Sequence, residues 1–303
     1  MTKITRKLLL SIITVVLTVV ALGTTTFAWF TLTNTSVVQA FEAEIVADTG
    51  IEIALNDGSV ATEFDWKTTI TTADVANYIE GKYGEDEFRF NHLTSPNGRV
   101  FYDLGTDGVG DSTTSGLLEL RFHFRSEDSS AINWTNVALT SGAAPWQSGI
   151  TFVNEHGIDI TPGSSFSVDA ADAMRLSITG NVGSLIKTTV YENPSSETNI
   201  VLGGSVDVPY NFENGGVGTN GSVNYFYQVN TFLPGGADEV FLAPTITSVS
   251  EVKVLDMQTG QVENAGAEYY GSITVRIWFE GWDANSYNAL LGRIITASLK
   301  FAA

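Results

Sequence analysis

The sequence predicts an all-β protein: a jelly-roll-like β-sandwich with one or two short helices, preceded by an N-terminal hydrophobic helix. Three observations lead there. At least ten segments alternate apolar and polar residues with a period of two, as half-buried strands do. Clusters of Gly, Asn, Asp, Ser and Pro separate them. Nothing repeats at a fixed period, and strand-helix-strand alternation is missing, which argues against a solenoid, a propeller or a parallel sheet.

The chain begins with Lys3, Arg6 and Lys7, followed by an apolar run from Leu8 to Leu22. Gly23 to Ala28 follow, then Trp29 and Phe30. A basic start, an apolar middle and a small-residue exit form a secretory signal, with Thr26 and Ala28 before a cut at Ala28/Trp29. The competing reading is a retained anchor, because about 20 helical residues cross ~30 Å of hydrocarbon and Leu8 to Phe30 is that long. Both readings put the rest of the chain outside the cell, at the surface or released, since the early positive charges stay in the cytoplasm. The expected organisation is residues 1–28 as signal peptide or membrane anchor, 29–40 as an extended segment, and 41–303 as one sandwich domain.

Residues 31–40 are polar and β-branched, without Gly or Pro. Phe41 to Val46 and Ile51 to Leu55 alternate. Residues 71–83 are the first helix candidate: Thr71 and Asp74 resemble a capping box, and Val75, Tyr78, Ile79 and Tyr83 share a face. Residues 103–116 read as a Gly/Asp/Ser/Thr loop. Leu117 to Arg125 gives the clearest strand, with Leu118, Leu120, Phe122 and Phe124 on one side and Glu119, Arg121, His123 and Arg125 on the other. Ala131 to Leu139, Phe152–Val153, Ile158 to Ile160, Ala173 to Ile178 and Leu185 to Tyr191 follow as strands. Residues 192–222 are the most loop-like, and Val223 to Phe232 reads as an aromatic strand. Glu251 to Met257, Glu268 to Glu280 and Arg293 to Phe301 complete the set, with a short helix expected between Asp283 and Leu291.

Composition limits the partners. Without the three basic residues of segment 1–28, 12 Lys and Arg face 34 Asp and Glu, a net charge of −22. Such a surface repels phosphate backbones, so nucleic acid is excluded as a partner, while cations are attracted. With no cysteine, disulfides and zinc-thiolate sites are ruled out. A content of 43% hydrophobic residues supports a large core instead.

Catalytic signals are sparse. The three histidines, His92, His123 and His156, form no His-Glu-x-x-His, and no Gly-x-Ser-x-Gly elbow occurs. His123 is expected to be solvated on the polar side of its strand. The expectation is a protein that is not an enzyme and needs no cofactor, with calcium as the one cation candidate. Asp103, Asp107 and Asp111 stand at relative positions 1, 5 and 9 with Gly108 at 6, as in part of an EF-hand loop. Positions 3 and 12 are Gly105 and Thr114, so two usual ligands are missing, and a solvated acidic loop is the competing reading.

Two places resemble a known family. Thr26-Phe27-Ala28-Trp29-Phe30-Thr31 is similar to the small-x-Ala-Tyr/Trp-Phe-Ser/Thr junction of camelysin/TasA-like exported proteins. Ile277 to Asn285, with the Ile295 to Phe301 strand after it, resembles the strand-Glu-Gly-x-Asp-helix-strand ending of related surface proteins. The resemblance implies a jelly-roll subunit, leader removal, and assembly into matrix fibres through donation of the segment after the cut. Metalloprotease activity has been described for camelysins, but no metal-protease motif here carries it over. The residues support donation independently: an extended, β-branched segment can add to a neighbour's sheet edge, with Trp29, Phe30, Leu32, Val37 and Val38 filling pockets. Head-to-tail addition does not close, so it makes a filament. A disordered spacer is the competing use of 29–40. The leading expectation is thus a self-polymerising subunit of an extracellular filament or biofilm matrix. The alternatives are a membrane-anchored surface module, glycan-binding through Trp146 or Trp282, and a secreted hydrolase.

Overall fold

A computed structural model describes residues 36–37, 41–48, 50–84, 88–105, 108–142, 144–154, 156–195, 221–231, 242–259, 266–286 and 293–303. The leader, the aromatic pair Trp29–Phe30, Asp107 and the helix expected before Leu291 lie outside them. Among the described residues, no helix is long and apolar enough to cross a membrane.

In chain order the strands are β1 (Ser36–Val37), β2 (Phe41–Ala47), β3 (Ile51–Leu55), β4 (Thr69–Ile70), β5 (Arg89–Phe90), β6 (His92–Thr94), β7 (Phe101–Gly105), β8 (Gly108–Thr113), β9 (Leu118–Ser126) and β10 (Ala131–Thr140). They continue with β11 (Ala144–Gln147), β12 (Phe152–Val153), β13 (Asp159–Ile160), β14 (Ser165–Val168), β15 (Met174–Val182), β16 (Leu185–Glu192), β17 (Thr245–Ile246), β18 (Val252–Asp256), β19 (Tyr269–Glu280) and β20 (Ile295–Ala302). Two helices are described, α1 (Thr72–Tyr83) and α2 (Gly221–Asn230).

Two large sheets hold the core. One has the order β18-β10-β20-β2-β4. The other runs β17-β16-β15-β19, with β9 paired along Tyr269 to Ile277 of β19, β3 paired with β9, and β6-β7-β8 attached at the end of β19. Register builds apolar rows: Leu118, Ile277 and Leu176 lie side by side, as do Leu120, Val275 and Ile178. All six are buried. Rings join the sheets, with Phe124 on β9 against Phe301 on β20 at 5.2 Å and Trp134 on β10 against Tyr191 on β16 at 6.0 Å. Edge-to-face pairs of this kind add to the area they bury.

The protein is therefore mostly β, and alternating segments such as Phe41 to Val46, Ile51 to Leu55 and Leu118 to Arg125 are strands. Three pairings are nevertheless parallel, β2 with β20, β16 with β17 and β6 with β19. They need no helical crossover because each joins strands far apart in sequence or follows a long loop.

α1 begins where expected. Thr71 Oγ1 accepts from the Asp74 N–H, and Asp74 Oδ2 accepts from the Thr71 N–H. Val75 points fully into the core. Other expectations are corrected. Residues 223–230 are helical rather than a strand, in α2. Residues 103–105 and 108–113 are strand residues of β7 and β8 rather than loop.

At Gly180 the backbones of β15 and β18 come close together. A Cβ there would lie 2.2 Å from the Val254 carbonyl oxygen. Gly180→Val is expected to force β15 and β18 apart at a cost of about 1–3 kcal/mol, the range for overpacking. Thermal melting beside Gly149→Ala, where nothing lies within 4 Å, checks it.

Candidate functional site

The chain enters the sandwich at one pole. Phe41 of β2 is opposite Ile295, and Ala47 is opposite Phe301. The Phe41 end lies with Met174 and Phe279, the start of β15 and the end of β19, because Thr140 pairs with Thr296 and Asp169 accepts from Ser141. Ser36 and Val37 are at the same pole, antiparallel to Phe90 and Arg89, and Phe90 packs on Phe279 at 5.2 Å. Of the sequence-predicted assembly residues, Val37 is thus engaged with its own chain over a two-residue bridge. Trp29, Phe30, Leu32 and Val38 lie outside the described residues, as does the cleavage pair Ala28–Trp29.

The motif Glu280-Gly281-Trp282-Asp283-Ala284-Asn285 forms a buried polar centre at this pole. β19 delivers Glu280, and a turn follows, with the Asp283 N–H donating to the Glu280 carbonyl. Gly281 N–H donates to the Leu93 carbonyl at 2.7 Å. Arg175 on β15 donates through Nη2 to Asp283 Oδ2 at 2.6 Å and contacts Glu192 Oε2 at 2.7 Å. Glu280 accepts from Trp278 Nε1–H at 3.1 Å. Arg175, Glu280 and Asp283 are each 3% exposed or less. One buried guanidinium therefore bonds Asp283 and the part-buried Glu192, with Glu280 close by. Burial raises Glu280 to about 7 and Asp283 to about 6, despite the opposing pull of Arg175. Glu280, the carboxyl not bonded to the guanidinium, is the one that keeps a proton near neutrality.

The same turn builds α2. Ser222 Oγ donates to the Asp283 carbonyl at 2.7 Å, and Gly221, at φ +69°, would place a Cβ 2.2 Å from the Ala284 oxygen. Asn224 then accepts from the Val153 N–H at 2.7 Å. His92 Nδ1 meets Ser286 Oγ at 3.1 Å. Ser286 is fully buried, so this contact ties β6 to the turn and offers no reachable nucleophile.

His123 overturns the solvated expectation: it is fully buried. Nε2 meets the Asn56 carbonyl at 2.9 Å, and Nδ1 meets Tyr270 OH at 2.7 Å. A carbonyl only accepts, so Nε2 carries the proton and Nδ1 accepts from tyrosine. Burial lowers its pKa to about 4, which keeps it neutral. Trp282 is likewise buried, and Trp146 packs among Phe152, Phe166 and Tyr225. Trp282 is therefore no open platform for a sugar, while Trp146 is half-buried. Asp103 and Asp111 are exposed on the paired strands of the β7–β8 hairpin. Among the described residues, no group of three acids or histidines converges on a metal position.

One open groove of about 400 Å³ runs beside α1. Leu55 and Ile70 are among its lining, with Asp57, Asp74, Lys67 and Lys82 around them. Lys67 contacts Asp74 at 2.6 Å and Asp65 at 2.9 Å; Lys82 contacts Asp57 at 3.2 Å and Glu119 at 3.4 Å. Tyr78 OH donates to Asp57 at 2.5 Å. Every charge in the groove has an internal partner, which makes it a weak anion or cation trap.

No protein-family model matches this chain, and neither does any curated protein or any solved structure.

Proposed function

We propose that the protein is a structural subunit of an extracellular filament or biofilm matrix, with no catalytic role. It is exported, and a jelly-roll-like sandwich carries an N-terminal segment that pairs with the next subunit. The observation that supports this reading is the way the chain enters the sandwich. β2 starts at one pole, and among the described residues the two-residue β1 bridge alone precedes it. Residues 29–35, which have no ionisable side chain, come before that bridge in the chain and can be offered outward. Main-chain bonds to a neighbour would then supply strength, as in other strand additions.

Deleting residues 29–35 from the full chain is expected to leave a monomer with unchanged melting and no filaments. Negative-stain microscopy and a thermal melt measure both; filaments of wild-type abundance would refute the reading. The groove beside α1 favours a second reading, a membrane-anchored surface binding module. In that case the leader would be retained, and N-terminal sequencing would find Met1 or Thr2 rather than Trp29.

A further inference from the structure

α1, the end of β3 and the turn after it line the groove described above. Its charges cancel in pairs. Lys67 is held by Asp65 and Asp74, and Lys82 by Asp57 and Glu119. An anion would have to pull a lysine away from its carboxylates, and a cation would have to displace one. Neither sign of ligand gains by entering, which leaves an uncharged one.

Some polar groups on the lining keep open hydrogen-bonding capacity. Asp57 Oδ1 takes the Tyr78 hydroxyl at 2.5 Å and Lys82 at 3.2 Å, while Oδ2 has no partner among the described residues. Asn56 Oδ1 accepts from the Gly58 N–H at 2.6 Å, which fixes that amide and leaves its NH₂ to donate. Asn77 on α1 is exposed, and neither end of its amide is engaged among the described residues. The lining thus offers an acceptor, a donor and an amide that does both, beside the half-buried Leu55.

We infer that this groove binds an uncharged sugar, as a short saccharide. Adjacent sugar hydroxyls each donate and accept, which matches the capacity that Asp57, Asn56 and Asn77 present, and the C–H face of a ring fits against Leu55. The volume of about 400 Å³ lies within the ~300–1,000 Å³ of small-molecule sites. Tyr78 and Lys82 brace Asp57 beforehand, so binding has less to order. The assignment goes beyond the filament reading and holds for a filament subunit or an anchored module alike.

The backbone separates this occupant from the obvious rival, an extended peptide. Strand addition needs an open sheet edge. β3 pairs with β9 from Ile51 to Leu55, and on its other side Ile53 exchanges two main-chain bonds with Lys67, at 2.7 and 2.9 Å. The main chain of α1 is bonded within its own helix. The groove therefore presents side-chain amides and a carboxylate rather than a free ladder of N–H and C=O groups.

The test is isothermal titration of the full exported chain with maltose, cellobiose, lactose and diacetylchitobiose, beside glucuronate and glucosamine as charged probes. At least one neutral sugar is expected to give saturable heat, and neither charged probe should bind more tightly. Asn77→Ala, at an exposed helix position, should melt like the wild type and weaken binding roughly tenfold, the loss of one or two neutral hydrogen bonds. Gly81→Leu is the second variant. A Cβ there meets nothing within 4 Å, and leucine favours a helix over glycine, so the chain should fold while the side chain fills the groove and abolishes binding. If no neutral sugar gives heat, or both variants bind like the wild type, the groove is not a sugar site. If glucuronate or glucosamine binds more tightly, the ligand is charged and the assignment fails. Neither failure touches the filament reading, which stands or falls on deleting 29–35.

Discussion

Arg175→Ala is expected to destabilise the protein by about 3–5 kcal/mol and to lower its melting temperature by roughly 10 °C. The side chain is 3% exposed and is bonded to Asp283 and Glu192. Its removal leaves two carboxylates facing each other in the interior, with Glu280 nearby and no cation among them. Breaking one side of a buried ion pair costs more than the pair itself contributes, because the remaining charge has no water. Loss should spread beyond the pair. Asp283 carries the turn that holds Ser222, so α2 should loosen with it. Arg99→Ala, at an exposed position, serves as the control and should stay within about 0.5 kcal/mol. Circular dichroism melts at pH 7 compare the two; a loss below about 1 kcal/mol for Arg175→Ala would contradict the role given to the centre.

The second large effect is a dependence on pH. Glu280 is raised from 4.5 to about 7 by burial. The folded chain therefore holds a proton that the unfolded chain has already released between those values. A group with a raised folded pKa contributes fully below the unfolded value, and its contribution is lost as pH climbs to the folded one. Stability should fall between about pH 4.5 and 7, by roughly 3 kcal/mol from this group alone. Asp283, raised to about 6, adds in the same direction. Asp74 and Asp256 are lowered and act oppositely, so their share disappears only as pH falls below the usual aspartate range. His92 and His123, each lowered by burial to about 4, act oppositely over the same range, so the readout is the difference between the wild type and a variant. Glu280→Gln cannot ionise and should lose relatively more stability at pH 5 than at pH 8 when compared with the wild type. A difference that is the same at both pH values would place the proton elsewhere.

Much of the fold was legible because burial on one face imposes a period. Leu118, Leu120, Phe122 and Phe124 alternate and are all at or below 1% exposure. The capping box at Thr71 was readable for the same reason: its chemistry is local. His123 broke the pattern because its strand is covered on both faces there. Phe64 packs tilted against it at 4.3 Å from one loop, and Tyr270 and Asn56 bond its nitrogens. Alternation cannot report a cover supplied by residues distant in sequence. α2 was hidden by its composition. Val223, Tyr225 and Phe226 favour strands, but Ser222 and Asn224 are fixed by the Asp283 turn and by Val153, and those contacts override local preference. The motif Glu280 to Asn285 stood out as a sequence feature. Its partner Arg175 did not, since nothing in the sequence places one strand's arginine beside another's carboxylates.

The position of β20 has a consequence for how the molecule is made. It lies between β10 and β2 and bonds to both, Val137 and Ile45 flanking Leu299 on either side. Until the ribosome has delivered that strand, the five-stranded sheet exists only as two fragments. Such distant pairing slows folding and keeps the nascent chain open. A copy truncated before Ile295 could never join its halves and would remain protease bait.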